Sequence, residues 1–434
     1  MGSLWSETVS MPRFSALNGD RKTDVLIIGG GMAGILCAYQ LRQAGVDCIL
    51  VEADRIGCGI TKNTTAKITA QHGLIYHKVL RQYGTEYAAL YYRANSAALN
   101  AFAEIAEHID CDFQRGDNVI YSLHNARKLE KELSALSRLG IPAAFRQELP
   151  LPMSTAGGIV FPNQAQFHPM KFLSAISAEL PIFERTQVLE LGKHTAITNH
   201  GRIRAEKIII ATHFPMLNKH GSYFLKLYQH RSYVIALADG PQLDAMYADE
   251  SKTGLSFRNA EQLLLLGGGS HRTGKSGGNW HELDAFRKQH YPGAAMRYHW
   301  ATQDCMSLDS IPYIGQYSLL TPNLYVATGF NKWGMTGSMT AALLLKDLVI
   351  GKNNPYERLF SPSRSMLHGQ LLLNAAESTW NLLTPTAPRC PHLGCALKWN
   401  SAEHSWDCPC HGSRFEADGT LIDNPATGDM KRRK

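Results

Sequence analysis

The run that most constrains this chain is Asp24-Val-Leu-Ile-Ile-Gly-Gly-Gly-Met-Ala-Gly34. Val25 to Ile28 are apolar and mostly β-branched, glycines follow at once, and an alanine- and leucine-rich helical pattern extends from Met32 to Gly45. A second apolar strand, Asp47 to Val51, ends at Glu52. Strand, glycine turn, helix, strand and acid, in that order, make a dinucleotide-binding βαβ unit. Gly29 allows the tight turn, Gly31 lets the backbone approach a pyrophosphate, and Gly34 lets the helix lie close on the strand. The helix N-terminus then faces the phosphates. Glu52 stands where a carboxylate accepts hydrogen bonds from a ribose.

A second glycine- and hydroxyl-rich loop, Gly57-Cys-Gly-Ile-Thr-Lys-Asn-Thr-Thr-Ala-Lys67, comes just after the acid. NAD-binding domains do not need it. The layout resembles the FAD-dependent amine and amino-acid oxidoreductases of the D-amino-acid oxidase and glycine oxidase superfamily. That resemblance implies that the loop wraps the pyrophosphate and ribityl chain and delivers side chains to the isoalloxazine. It continues in the superfamily's order. Gln187 to Leu191 would supply backbone contacts to the adenine, and the buried strand Lys207 to His213 would end beside the cofactor. Asp309-Ser-Ile-Pro-Tyr-Ile-Gly315, Leu324 to Gly329 and Phe330 to Gly337 lead into a helix, Ser338 to Val349. A helix N-terminus beside the isoalloxazine O2/N1 edge stabilises an anionic reduced flavin. The FAD contacts implied are Gly29, Gly31, Met32, Ala33, Gly34, Glu52, Ala53, Thr61, Asn63, Thr64, Thr65, Ala66, Lys67, Val188, Ala211, Thr212, Gly329, Phe330, Asn331, Trp333, Gly334, Met335 and Thr336.

The chain has 434 residues, 44% apolar and 19% charged, as expected of a soluble globular protein with more than one domain. The net charge of +7 owes part to the terminal Lys431-Arg-Arg-Lys434, which reads as a solvated tail. No nucleic-acid partner is expected. No segment approaches the ~18 to 20 unbroken apolar residues of a membrane helix, and Met1 to Lys22 lacks a signal-peptide apolar region. The expected location is cytoplasmic.

Of nine cysteines, Cys37, Cys48, Cys58, Cys111 and Cys305 are scattered, whereas Cys390, Cys395, Cys408 and Cys410 crowd together near the end. Such clustering in a cytosolic protein points to metal before disulfide. Cys390-Pro-His392-Leu-Gly-Cys395 and Cys408-Pro-Cys410-His411-Gly-Ser413 give C-x-H, fifteen residues, then C-x-x-H. Two thiolates and two imidazoles suit either zinc or a Rieske [2Fe–2S] centre. With the two further cysteines, the pattern resembles Rieske proteins of the cytochrome bc type, which bridge the extra pair by a disulfide. By that resemblance Cys390 and Cys408 hold the buried iron, His392 and His411 hold the outer iron and face the electron partner, and Cys395 pairs with Cys410. Ser413 resembles a serine that donates to a bridging sulfide. Phe415 departs from the pattern, because high-potential relatives carry Tyr there. Met366 to Leu383 reads as a helix in place of the usual early strands, so the lobe is short and leans on its cluster and on the rest of the chain.

The fold expected is α/β: a Rossmann-type FAD-binding domain (1–80, 145–220 and 300–360), an interleaved antiparallel-sheet substrate domain (81–144 and 221–299), and a small C-terminal Rieske-like all-β lobe with a helical lead-in (361–434). Gly267 to Lys275 interrupts the substrate sheet and reads either as a mobile turn or as glycines and basic residues that cradle an anion. The chain resembles a bacterial family that fuses these parts, on Thr64-Thr-Ala-Lys67, Gln71-His-Gly73, Ala211 to Pro215 and Asn331 to Met335. The resemblance implies hydride removal from an amine or amino-acid C–N carbon. Electrons would then leave singly through the Rieske centre to an acceptor protein or quinone. His72, Lys67, Tyr233 and Trp300 are the expected catalytic residues. Amino-acid oxidases of the superfamily often carry a carboxylate-clamping arginine shortly before the Asp-x-x-Pro-x-x-Gly block. Tyr298 to Asp304 holds none, so Arg231, Arg272 or the bordering Arg297 would have to serve, and Trp300 tilts the reading towards amines. Lys275 and Lys332 are weaker candidates for tuning flavin reactivity, and Cys305 lies where some sarcosine oxidases attach flavin covalently. The alternative function is a flavin/iron–sulfur electron-transfer or redox-sensing protein without an organic substrate.

Overall fold

The computed structural model describes residues 2–217, 220–385 and 388–430; the basic run at 431–434 lies outside them. Val25 to Ile28, with no polar side chain among them, can only be covered on both faces, and they form the inner strand of an eight-stranded sheet. Arg21–Ile28 pairs in parallel with Cys48–Val51 on one side and Gly201–Ile210 on the other. Leu324–Thr328 continues the parallel run and Tyr313–Gln316 turns back along its edge. Helices Met32–Gln43 and Gly334–Val349 start at the strand ends of this sheet and pack against each other. The three chain passages that the sequence motifs mark for the cofactor thus converge on one edge.

A second sheet has nine strands, in the order Ala295–Ser307, Leu227–Ala238, Leu263–Arg272, Ser256–Ala260, Ala245–Asp249, Gln114–Tyr121, Gly158–Gln166 and Lys67–Ile68, with Ala144–Arg146 beside Gly158–Gln166. It is antiparallel except where Ala245–Asp249 runs parallel to Gln114–Tyr121, so it is mixed and not purely antiparallel as expected. Lys67–Ile68, Gly158–Gln166 and Ala295–Ser307 all belong to this sheet, although the sequence division gave the first two, and the third from residue 300, to the FAD-binding domain. Their partners lie far away in sequence, which local pattern does not reveal. Gly267–Lys275 is corrected too. Leu263–Arg272 is one unbroken strand through its glycines, and the turn follows at Thr273–Gly274.

The C-terminal lobe comprises helix Gly369–Leu383 and a four-stranded antiparallel meander: Lys398–Asn400, Ser405–Asp407, Arg414–Glu416 and Leu421–Asp423. Its small core gathers all four late cysteines with Leu397, Phe415 and Ala426. Among the described residues no helix is long and apolar enough to cross a membrane.

One buried ion pair ties the Asp-x-x-Pro block to the segment that leads into the lobe. Arg364 Nε and Nη2 donate to the two oxygens of Asp309 at 2.7 and 2.8 Å, and Tyr83 Oη donates at 2.8 Å. Burial alone would raise the Asp309 carboxyl, but the Arg364 charge and these hydrogen bonds hold it down at about 2. Removing one partner of such a pair leaves the other charge buried and costs about 3–5 kcal/mol. We expect Arg364→Leu to lose that much in urea unfolding at pH 7. Because the folded pKa is depressed, the contribution of Asp309 is complete above the ordinary carboxylate range and is lost as pH falls towards about 2. Acid unfolding curves of wild type and variant should therefore converge at low pH.

Candidate active site and cluster pocket

A cavity of about 1340 Å³ runs from the glycine turn along the second sheet to the C-terminal lobe. At the turn, Gly29 has φ +112°, and a Cβ there would lie 2.6 Å from the Ala211 carbonyl oxygen. At Gly34 a Cβ would lie 1.8 Å from the Gly29 oxygen, so only glycine lets the helix rest on the turn. At Gly31 the nearest atom is Thr61 Oγ1 at 3.4 Å, which leaves open space on the cavity side. Gly31 caps helix Met32–Gln43 without a side-chain bond, so first-turn N–H groups remain for an anion. Thr61 Oγ1 accepts from Met32 N at 2.9 Å, pinning the second loop to this turn. Glu52 accepts from Gly30 N at 2.6 Å and Asp54 N at 2.9 Å, which fixes its carboxylate at the strand end. An open cradle, a helix N-terminus and a fixed carboxylate fit the diphosphate and ribose of FAD.

Every residue expected to hold the cofactor lines this cavity except Gly34, Ala66, Gly329 and Thr336. Those four lie behind it for identifiable reasons. Gly34 is the helix–turn contact, and fully buried Ala66 turns the chain at φ 53°. Gly329 packs on Leu227 and Ser307, and Thr336 Oγ1 donates to the Thr69 carbonyl at 2.9 Å.

The four expected catalytic residues all line the cavity, with their polar atoms already engaged. Tyr91 Oη donates to His72 Nδ1 at 2.6 Å, and His72 Nε2–H donates to the Thr69 carbonyl at 2.7 Å. Burial pushes the His72 imidazole down to about 3, so it is neutral, and it stacks on Trp333 at 5.0 Å. Lys67 Nζ donates to the Tyr247 carbonyl at 2.7 Å; burial, with the Arg258 charge, lowers it to about 7. Trp300 Nε1 donates to the Asn63 carbonyl at 3.1 Å and Tyr233 Oη to Glu403 Oε1 at 2.9 Å. Cys305 sits beside Thr328 Oγ1 at 3.6 Å; burial pushes its thiol up to about 12, which disfavours the thiolate that covalent attachment needs.

Glu403 belongs to the lobe, and its role was not anticipated. Arg231 forks onto the Glu403 carboxylate, with Nε at 3.0 Å; Arg414 Nη2 reaches the same carboxylate at 2.8 Å and continues to Asp407 and Asp423 at 3.0 Å. Arg231, Arg414 and Asp407 are buried between the second sheet and the lobe, and Glu403 and Asp423 are half-buried there. Arg272 donates to the Pro409 and Cys410 carbonyls at 3.0 and 3.2 Å, and Lys275 pairs with Glu377 at 2.7 Å. Gly274 packs directly on Pro409, where a Cβ would lie 2.6 Å from the backbone nitrogen. The glycines and basic groups of 267–275 therefore seat the lobe. Arg231 and Arg272 are committed to it, and Arg297 lines a separate hollow with Leu4 and Glu261. None of the three is a carboxylate clamp in the cavity.

In the lobe, His411 Nε2–H donates to the Phe224 carbonyl at 3.0 Å, leaving Nδ1 buried with no hydrogen-bond partner. A metal ligand of this kind has one ring nitrogen fixed by a backbone carbonyl and the other turned inward. The His392 and His411 rings lie 5.0 Å apart, beside buried Cys390 and Cys408. This donor set fits a [2Fe–2S] centre. Ser413 Oγ accepts from Ala426 N at 3.0 Å, which holds its hydroxyl at the cysteines. The expected Cys395–Cys410 disulfide is not formed; all four thiols are free. The sulfurs of Cys395, Cys408 and Cys410 instead form a trio within 4.8 Å of one another, in which Cys408 is a third partner to the other two.

The histidine side rests on the body, with His411 buried and His392 half-buried. His392 and His411 pack on Phe214 at 6.2 and 6.3 Å, and His411 packs on Phe224 at 6.4 Å. Gln229 accepts from His213 Nε2–H at 3.1 Å and donates to the His411 carbonyl at 2.9 Å. Asn424 donates to the carbonyls of Thr212 and Phe214. The segment Thr212–Phe214 therefore touches the cavity at one end and the histidines at the other.

The two glycine positions separate folding from cofactor binding. Gly34→Ala should abolish cooperative folding, whereas Gly31→Ala should keep the far-UV circular dichroism melt and lose most FAD, read as flavin released on denaturation. Equal flavin loss and unfolding in both would contradict the separation.

Comparison with known proteins agrees with this geometry. A family model described as FAD dependent oxidoreductase matches residues 24–348, and one described as Rieske [2Fe-2S] domain matches residues 370–433. The chain is similar to the putative Rieske 2Fe-2S iron-sulfur protein YhfW of Bacillus subtilis, 34% identical over 99% of this chain and 97% of that one. Its fold is similar to a crystal structure of glycine oxidase from Geobacillus kaustophilus, with TM-score 0.67, 20% identity, and coverage of 80% of this chain and 100% of that one. It is also similar to L-proline dehydrogenase from P. horikoshii, with TM-score 0.66, 16% identity, and coverage of 80% and 98%. The chain therefore belongs to the FAD dependent oxidoreductase family and carries a C-terminal Rieske [2Fe-2S] domain.

Proposed function

We propose that the protein oxidises the C–N bond of a small amine or amino acid and passes the electrons singly through its Rieske centre to an external acceptor. The observation that carries this reading is the seating of the lobe. Its histidine side rests on Phe214 and Phe224, and the same segment reaches the cavity at Thr212. Bound FAD supplies a hydride acceptor and the cluster a one-electron acceptor. The residues of the chain do the rest. Tyr233, Trp300 and Trp333 give the cavity an aromatic wall that excludes water. His72, neutral and held at both nitrogens, fixes Trp333 and takes no proton. Lys67 Nζ, lowered to about 7 by burial and Arg258, is the basic atom on this wall that exchanges a proton near neutrality. A large cavity lined by the second sheet favours an enzyme over a protein that only relays electrons.

The test is anaerobic stopped flow with a panel of amines and amino acids. Flavin bleaching should precede cluster reduction, at a rate independent of protein concentration, because the lobe is part of the same chain. Cys408→Ser, which removes a cluster ligand, should leave flavin bleaching within about twofold of wild type. It should lower turnover with the native one-electron acceptor by at least about tenfold. Equal turnover would mean the cluster is not the outlet. Failure of every panel member to bleach the flavin would favour the electron-transfer or redox-sensing reading.

A further inference from the structure

We propose that the cavity recognises a cationic amine lacking a carboxylate, with Asp304 receiving its ammonium group; this deepens, and rests on, the reading of the cavity as a C–N oxidation site. Asp304 stands on strand Ala295–Ser307, opposite His230 in register, and lines the cavity. The other carboxylates of the sheet and lobe walls are occupied. Asp249 accepts from Ser251 N at 2.7 Å, Glu250 pairs with Lys128 at 2.8 Å, and Glu403 and Asp423 are held by Arg231 and Arg414. Among the described residues Asp304 has no side-chain hydrogen bond and no ion pair within 4 Å. Only the more distant charges of Lys332 and Arg231 act on it.

The cations are disposed in the opposite way. Recognition of a substrate carboxylate calls for a free, permanently charged fork, and among the described residues no arginine on the sheet or lobe wall is free. Arg231 and Arg414 are spent on Glu403, Asp407 and Asp423. The lysines are hydrogen-bonded to the protein itself. Lys332 Nζ donates to the Lys252 carbonyl at 2.9 Å and Ser270 Oγ at 3.1 Å, Lys67 to the Tyr247 carbonyl at 2.7 Å, and Lys252 to Tyr228 Oη at 3.1 Å. Burial lowers both Lys67 and Lys332, and the hydrogen bonds of both ammonium groups run to protein oxygens. Burial raises Asp304 against the opposing charges of Lys332 and Arg231, and an ammonium brought against it adds the direct ion pair that the wall does not make. The aromatic side chains Trp300, Trp333 and Tyr233 line the same cavity, and aromatic walls favour cations over anions.

A matched pair of ligands without an oxidisable C–H tests recognition apart from chemistry: tert-butylammonium and pivalate, titrated calorimetrically into the oxidised holoprotein. Tert-butylammonium should bind at least tenfold more tightly than pivalate. Asp304→Asn, nearly isosteric and checked for full FAD and cluster content, should weaken tert-butylammonium at least tenfold and leave pivalate unchanged. Pivalate binding as tightly, or an unchanged affinity in Asp304→Asn, overturns the proposal. A second pair, pyrrolidine and L-proline, is then tested for anaerobic flavin bleaching. Bleaching by pyrrolidine at least tenfold faster supports it, and preference for proline overturns it while leaving C–N oxidation standing. If neither bleaches the flavin while tert-butylammonium still binds through Asp304, the recognition stands and the oxidation reading falls.

Discussion

The structure turns on the buried carboxylate of Glu403. It is a lobe residue that accepts from Arg231 and Tyr233 of the second sheet and from Arg414 of its own meander. Three donors around one carboxylate are what make its burial tolerable, since a buried charge without partners is costly. Burial alone would raise its pKa, yet the two guanidiniums lower it below the ordinary range. Removing Glu403 would leave Arg231 with only Asp423 at 3.9 Å, while Arg414 would keep Asp407 and Asp423, so the loss falls on the contact between sheet and lobe. A lobe this short has little core of its own, and the network, with the seat at Gly274 and Pro409, holds it against the flavin-binding body.

The same contact occupies polar groups on the cavity wall. Tyr233 and Arg231 are both turned to Glu403. The charged groups Arg231, Glu403, Arg414 and Asp423 on the cavity wall are paired with one another, whereas Asp304 on the same wall is not, among the described residues. The lobe thus neutralises charged groups on the cavity wall. It has also brought the buried imidazole of His411 onto Phe214, near Thr212 in the cavity wall. Cavity wall and cluster pocket share a single stretch of chain, Thr212 to Phe214.

How much of this was legible depended on sequence distance. The glycine turn with Glu52, and the boxes around Cys390 and Cys408, carry their chemistry in contiguous runs, and both were readable. So were the long helices, whose apolar spacing is local. Sheet membership was not, because Gly158–Gln166 and Ala295–Ser307 find partners far along the chain. The fate of Arg231 was hidden for the same reason: its partner lies 172 residues away. Gly267 to Lys275 looked like a turn because glycines in a strand and glycines in a loop read alike. Only the facing Pro409 explains Gly274. Asp304 stood in plain view at the end of a stretch searched for an arginine, and its significance required knowing that every nearby arginine was taken.

The central claim is that the lobe is fixed, with its histidines seated on the body, and does not swing between cavity and acceptor. The viscosity dependence of intramolecular electron transfer tests this most directly. The cluster of the anaerobic holoprotein would be monitored after flash reduction of the flavin, in buffers of increasing glycerol content. A fixed lobe predicts a cluster-reduction rate that does not change as viscosity rises several-fold. A rate falling in proportion to viscosity would show that the lobe must travel, and would contradict the account.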